Sequence, residues 1–177
     1  MKSKFFSVRE LVFIALFAAV IAVSAWIAVP AAIPFTMQTF AIFMCVSLLG
    51  TKCALASVLT YILLGSAGLP VFAGFGGGVG VLFSPNGGYI IGFLPAVLIS
   101  GLLLQSFGAK LITRMLCMLA GITACYIFGS VWFCIIHGAS LESTLTSCVL
   151  PFVPFDAIKI ALASILSIRI GKYICLK

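Results

Sequence analysis

Between Glu10 and Lys172 the chain carries formal charge only at Lys52, Lys110, Arg114, Glu142, Asp156, Lys159 and Arg169. The intervals are apolar runs long enough to hold helices of about 20 residues, the length that crosses the hydrocarbon core of a bilayer. Of all residues, 64% are hydrophobic and 7% charged. Soluble domains carry roughly 25% charged residues, so this chain has too little polar surface to cover a water-soluble globule. It reads as an all-α integral membrane protein. One transmembrane domain is expected over residues 1–177, with spans near 9–29, 37–51, 52–66, 87–105, 112–136 and 150–172. Six such spans use up the length and leave no room for a second, water-soluble domain. The start of the chain has the basic flank of a signal peptide, but its apolar run extends through Trp26 to Val29, too long for an h-region, and is read as a retained helix.

The basic residues support the span count. With six crossings, Lys2, Lys4, Arg9, Lys52, Lys110, Arg114, Arg169, Lys172 and Lys177 all fall on one side. Lys159 lies inside a span. The other side receives the 30–38 turn, a glycine-rich loop and the segment around Glu142, without Lys or Arg. The positive-inside rule then puts both termini in the cytoplasm. The net charge of +7 is therefore a matter of topology and lipid headgroups; no basic run interleaves with aromatics, and nucleic acid is not an expected partner. Seven cysteines, an odd number without a C-x-x-C pair, give no disulfide framework or metal site.

The polar residues inside the apolar body are the candidates for function. Asp156 and Lys159 stand in the apolar stretch from Leu150 to Ile168, three residues apart and so on one helix face. A charge at membrane depth costs several kcal/mol, about 2.5–3.5 on insertion scales, and marks a functional site by default. Two readings follow: an internal salt bridge that pins helices together, or a polar pocket for a small ligand. Thr36, Gln38 and Thr39 open the second span, where Thr36 either caps the helix or stands beside a ligand-facing Gln38, whose amide is costly to bury unsatisfied.

The stretch from Val71 to Tyr89 holds seven glycines among Phe72, Phe75 and Phe83, with no charge. It matches no phosphate-binding pattern. Irregular backbone at membrane depth survives only where protein buries it or it lines a cavity, so it is read as a lid over a ligand site. It ends in Ser84-Pro85-Asn86-Gly87-Gly88-Tyr89, which brings an amide, a hydroxyl and a flat ring to the start of the fourth span. Pro95 is expected to kink that span, and 138–147 reads as an aqueous loop. His137 is a lone helix-end histidine. With no nucleophile–base pair or metal set, no enzyme and no cofactor are expected. In the first span Ala15/Ala19 and Ala18/Ala22 are small-xxx-small pairs, which let another helix approach closely.

Gly68-Leu69-Pro70-Val71-Phe72-Ala73-Gly74 running into Ser84-Pro85-Asn86-Gly87-Gly88-Tyr89 resembles the biotin transporter BioY family. These are the substrate-binding (S) components of energy-coupling factor (ECF) transporters. Pro34-Phe35-Thr36-Met37-Gln38 and Pro154-x-Asp156-x-x-Lys159 carry the same resemblance, which covers nearly the whole chain. It implies the six-helix S-component fold with a glycine-rich extracellular loop, biotin as the ligand captured from outside, and as partners a T component and two ATPase subunits in the cell membrane. The candidate substrate-binding residues are then Thr36, Gln38, Phe72, Phe75, Asn86, Gly87, Tyr89, Asp156 and Lys159, with Val79 as a further apolar wall. Ala15 and Ala19 resemble the small-residue motif that docks on the T component. Asp156 and Lys159 meet either the ureido ring or, through Lys159, the carboxylate. The chain contains no nucleotide site to drive uphill transport, in line with this resemblance. The alternative is a self-sufficient proton-coupled carrier of a small organic acid, using Asp156 or Glu142; no internal repeat supports it.

Overall fold

The computed structural model describes residues 6–30, 33–108 and 110–173. Lys2, Lys4, Cys175 and Lys177 lie outside the described residues. Ser7 starts α1 (Val8–Trp26) with a capping box: its hydroxyl accepts from the Glu10 amide at 3.2 Å, and the Glu10 carboxylate accepts from the Ser7 amide at 2.7 Å. Two of the helix's orphan donors are satisfied this way. The helix ends at Trp26 rather than at the expected Val29. Pro30, just beyond, cannot continue a helix. Ala28–Val29 (β1) instead pairs antiparallel with Phe35–Thr36 (β2), Ala28 opposite Thr36. This short ribbon brings Thr36 back toward α1 and aims the next segment inward.

Helix α2 (Gln38–Ser66) is broken at Gly50, whose φ of 78° and ψ of 173° are not helical. Only glycine takes that conformation without strain. The break turns α2 back on itself. Cys45 and Ser57 are hydrogen-bonded at 3.6 Å, although an unbroken helix holds residues twelve apart about 18 Å from each other. The Gln38 side chain likewise reaches the Tyr61 hydroxyl at 2.7 Å. The expected spans 37–51 and 52–66 are thus the two arms of a helical hairpin with no loop between them.

A 3-10 turn (Ala73–Phe75) and α3 (Val79–Leu82) lie in the glycine-rich segment. α4 (Gly87–Phe107) remains one helix across Pro95, and α5 (Leu111–His137) packs against it. Small residues make that contact close. A Cβ at Gly88 would stand 2.2 Å from the Trp132 side chain, and one at Gly92 would stand 3.1 Å from the Cys125 sulfur. The segment read as an aqueous loop contains a helix, α6 (Leu141–Cys148), capped by Ser140, with Thr144 and Cys148 buried. Its inward hydroxyl and thiol were masked in the sequence by the polar residues around them. A turn follows, so α7 (Val153–Ile170) starts three residues later than the expected span, bent by 52° from α6.

Among the described residues four helices (α1, α2, α4 and α5) are long and apolar enough to cross a membrane, and five if α6 and α7 count as one bent span. Leu63, Leu102, Ile112, Ile127, Ile135 and Ile158 point outward, as a lipid-facing belt requires. The chain is a multi-pass, all-α bundle.

Candidate ligand pocket

The start of α2, the 33–36 segment, the glycine-rich segment, α4, α5 and α7 enclose a pocket. It lies toward the bundle end that holds the β1–β2 ribbon, away from Lys52, Lys110, Arg114 and Lys172. Its polar floor comes from α7. Asp156 occupies the first turn, where the exposed amides of the helix N-terminus favour a carboxylate. Lys159 is one turn further on, and each is 5% exposed. Their ion pair spans 3.0 Å.

The pair is thoroughly satisfied. Asp156 Oδ1 accepts from Lys159 Nζ and from Thr39 Oγ1 at 2.9 Å, and Oδ2 accepts from the Tyr126 hydroxyl. Lys159 Nζ also donates to the Thr36 carbonyl at 2.7 Å and to Thr39 Oγ1 at 3.3 Å, and lies 3.7 Å from the centre of the Phe35 ring. Ion pair and pocket wall, set out as alternatives from the sequence, therefore coexist. Asp156 and Lys159 sit on one helix, so their bridge does not itself tie two helices together. Thr36, Thr39 and Tyr126 do that, from the ribbon, α2 and α5.

Gln38 and Thr36 form a second buried unit. Thr36 Oγ1 donates to Gln38 Oε1 at 2.9 Å and accepts from the Gln38 amide at 3.3 Å, while Gln38 Nε2 donates to Tyr61. The N-cap of α2 is Met37, without a side-chain cap, and Thr36 instead belongs to β2 and lines the pocket. Phe72, 1% exposed, forms a T-shaped pair with Tyr61, ring centroids 5.5 Å apart, and lines the pocket. Asn86 and Tyr89 line the opposite wall, the Tyr89 hydroxyl lying 3.4 Å from Ser130 Oγ.

Three of the expected wall residues fall elsewhere. Phe75 is 64% exposed and packs on Trp26, with ring centroids 5.1 Å apart. Val79 is exposed on α3. The backbone takes positive φ at Gly74 (66°) and Phe75 (59°), and at Gly78 (93°) just before Val79. Gly87 is buried but lines nothing: a Cβ there would stand 1.8 Å from the Leu82 carbonyl. Its missing side chain seats α3 on α4. Gly87→Ala is accordingly expected to lower stability by about 1–3 kcal/mol, as overpacking does, and a reduced midpoint in thermal unfolding of the detergent-solubilised protein checks it.

Sequence reasoning placed Thr39 in a polar cluster without assigning it to the site, and passed over Tyr126. The signal for Tyr126 was a phenol midway along an apolar span, a group that needs a partner when buried. Phe35 and Phe152, stacked at 5.6 Å, and Phe93, Ile122 and Cys125 complete the wall. Two tryptophans hold the ends of the glycine-rich segment over the opening. Trp26 Nε1 donates to the Pro70 carbonyl at 3.0 Å, and Trp132 Nε1 to the Ser84 carbonyl at 3.1 Å.

A multi-pass helical bundle with an aromatic-walled pocket and a satisfied charge pair at its floor has the architecture of a membrane protein with an internal small-molecule site. The particular family follows from comparison: the chain belongs to the BioY family, whose profile matches residues 1–174. It is 38% identical over 168 residues to the biotin transporter BioY of Thermotoga maritima, covering 93% of this chain and 96% of that protein. It is 37% identical over 163 residues to the probable biotin transporter BioY of Pyrococcus horikoshii, covering 92% and 96%. Among solved structures it is similar to the S-component for biotin from an ECF-type ABC transporter, with a TM-score of 0.87, 28% identity, and coverage of 93% of this chain and 92% of the other.

Proposed function

We infer that this protein takes up biotin, binding it as the S component of an ATP-driven ECF transporter. The observation that carries the reading is the buried Asp156–Lys159 pair, walled by aromatics in a chain of the BioY family. Biotin's ureido ring presents two N–H donors and one carbonyl, its fused thioether ring and valerate chain require apolar walls, and its carboxylate requires donors.

The hydrogen-bond arithmetic favours the ureido ring at the pair. Asp156 Oδ2 accepts from the Tyr126 hydroxyl and keeps a lone pair for a ureido N–H. The Lys159 donors are all engaged, so a ligand carbonyl takes the place of Thr39, the longer of its bonds. Phe35, Phe72 and Phe152 then flank the rings. Asn86, Tyr89 and the amides of the glycine-rich segment receive the carboxylate. Thr36 and Gln38 hold the backbone carbonyl and the helix start that orient Lys159.

The break at Gly50 makes six crossings the natural count. Both termini are then cytoplasmic and the pocket opens outward. The partners are a T component and two ATPase subunits. Ala15 and Ala19 are on the exposed face of α1, while Ala18 and Ala22 are buried inside the protein; the exposed pair is the docking stripe for the T component. A self-sufficient proton-coupled carrier is set aside, since neither fold nor relatives favour it.

Purified protein without nucleotide is expected to bind biotin tightly in calorimetry. Analogues with an altered ureido ring should lose about 1–3 kcal/mol for each buried donor or acceptor left unpaired. Equal binding of biotin, riboflavin and thiamine would defeat the reading.

A further inference from the structure

Among the described residues Tyr61 is the largest fully buried side chain, yet it lines no part of the pocket. It stands on the second arm of α2, beyond the break at Gly50. A phenol buried so deeply needs a partner for its hydroxyl. The partner comes from the first arm of the hairpin: Tyr61 accepts from Gln38 Nε2 at 2.7 Å. The same ring meets Phe72 almost at right angles, with an interplanar angle of 82°. Gln38 and Phe72 both line the pocket. Two wall residues from distant parts of the chain therefore rest on one residue behind the wall.

Each contact leads further. Gln38 Oε1 accepts from Thr36 Oγ1 at 2.9 Å, and the Thr36 carbonyl accepts from Lys159 Nζ at 2.7 Å. On the other side, the Phe72 ring lies against Gly65, one helical turn beyond Tyr61: a Cβ at Gly65 would stand 2.2 Å from Phe72 Cζ. The Gly65 carbonyl also accepts from the Gly78 amide at 2.7 Å. The second arm of α2 is thus the seat of the glycine-rich segment and, through Gln38 and Thr36, a support for the charged floor. Without the phenol, the Gln38 amide loses its acceptor in the protein interior, which is costly. It must turn to find another and so releases Thr36. A pocket that has to be reordered as the ligand arrives binds more weakly than one already in place.

We propose that Tyr61 is a positioning residue of the ligand site. Its hydroxyl sets Lys159 by way of Gln38 and Thr36, and its ring sets Phe72, without either touching the ligand. The effect on affinity rests on biotin being that ligand; the hold on the glycine-rich segment does not.

Variants of the full chain in detergent separate the two links. Tyr61→Phe keeps the ring and removes the hydroxyl, and should bind biotin roughly tenfold more weakly in calorimetry. Gln38→Leu and the double variant complete the cycle. Because Tyr61 acts through Gln38, the double variant should bind no more weakly than Gln38→Leu alone. Its thermal unfolding midpoint should exceed that of Tyr61→Phe, since no amide is left orphaned. A tyrosine that only supports the fold would lower the midpoint and leave the affinity of the folded protein unmoved. Native affinity in Tyr61→Phe, or losses that add in the double variant, would overturn the role. Should Tyr61→Phe be too unstable to purify, the comparison of Gln38→Leu with the double variant decides alone. Tyr61→Leu removes the ring edge from Phe72. Without ligand, chymotrypsin should cut it at the phenylalanines of the 71–89 segment several-fold faster than the native chain or Tyr61→Phe. Cleavage at the native rate would overturn the ring's part. Failure of the native chain to bind biotin would defeat the transport reading and leave the cleavage comparison to decide what Tyr61 does.

Discussion

Asp156→Asn is expected to abolish high-affinity biotin binding and to destabilise the protein by about 3–5 kcal/mol, the cost of leaving a buried charge without its partner. The substitution keeps shape but removes the counter-charge 3.0 Å from Lys159 Nζ. It also changes what the site accepts. Oδ2 takes the Tyr126 proton in the native chain, and Oδ1 takes protons from both Thr39 and Lys159. An amide has one oxygen to offer, so one of those donors loses its partner. Lys159→Met should be as damaging, for the mirror reason. The double variant Asp156→Asn with Lys159→Met separates stability from recognition. Replacing both members of a buried ion pair is often neutral for stability, so the double variant should recover much of its thermal midpoint while biotin stays unbound. A folded double variant with native biotin affinity would reduce the pair to a structural element and move the ligand site elsewhere. Calorimetry beside thermal unfolding on the same preparations gives both readouts.

Ala15→Leu and Ala19→Leu are expected to stop uptake in cells that carry the complete complex while leaving biotin binding by the isolated chain intact. Both alanines are on the outer face of α1, away from the buried Ala18, Ile21 and Ala22. Leucine adds bulk there without meeting anything inside this chain. It would hold a partner helix away from a surface whose small residues permit close approach. Loss of biotin binding by either variant in isolation would show that the outer face of α1 shapes the pocket, and the docking assignment would fail. The contrasting pair, Ala18→Leu and Ala22→Leu, should damage the fold itself, because those positions are packed.

Much of this protein is written in its hydropathy. Where a helix can lie in a bilayer, every backbone group must be satisfied within it, so a long apolar run bounded by charge has few other outcomes. The break at Gly50, the start of α4 at Gly87, the extent of α5 and the burial of Asp156 and Lys159 follow from local residues. The tertiary structure alone decided which apolar side chain faces the pocket. In a soluble protein, polarity distinguishes the inward from the outward face of a helix. Here lipid and pocket are both apolar, so Phe72 and Phe75 are indistinguishable in composition, yet one is sealed inside and the other lies on Trp26. The positive-φ backbone at Gly74 and Phe75 sets that difference. Tyr126 became visible as a site residue only when α5 packed against α7 and brought its hydroxyl to Asp156. Local sequence determines what can be buried in a membrane; packing determines what it is buried against.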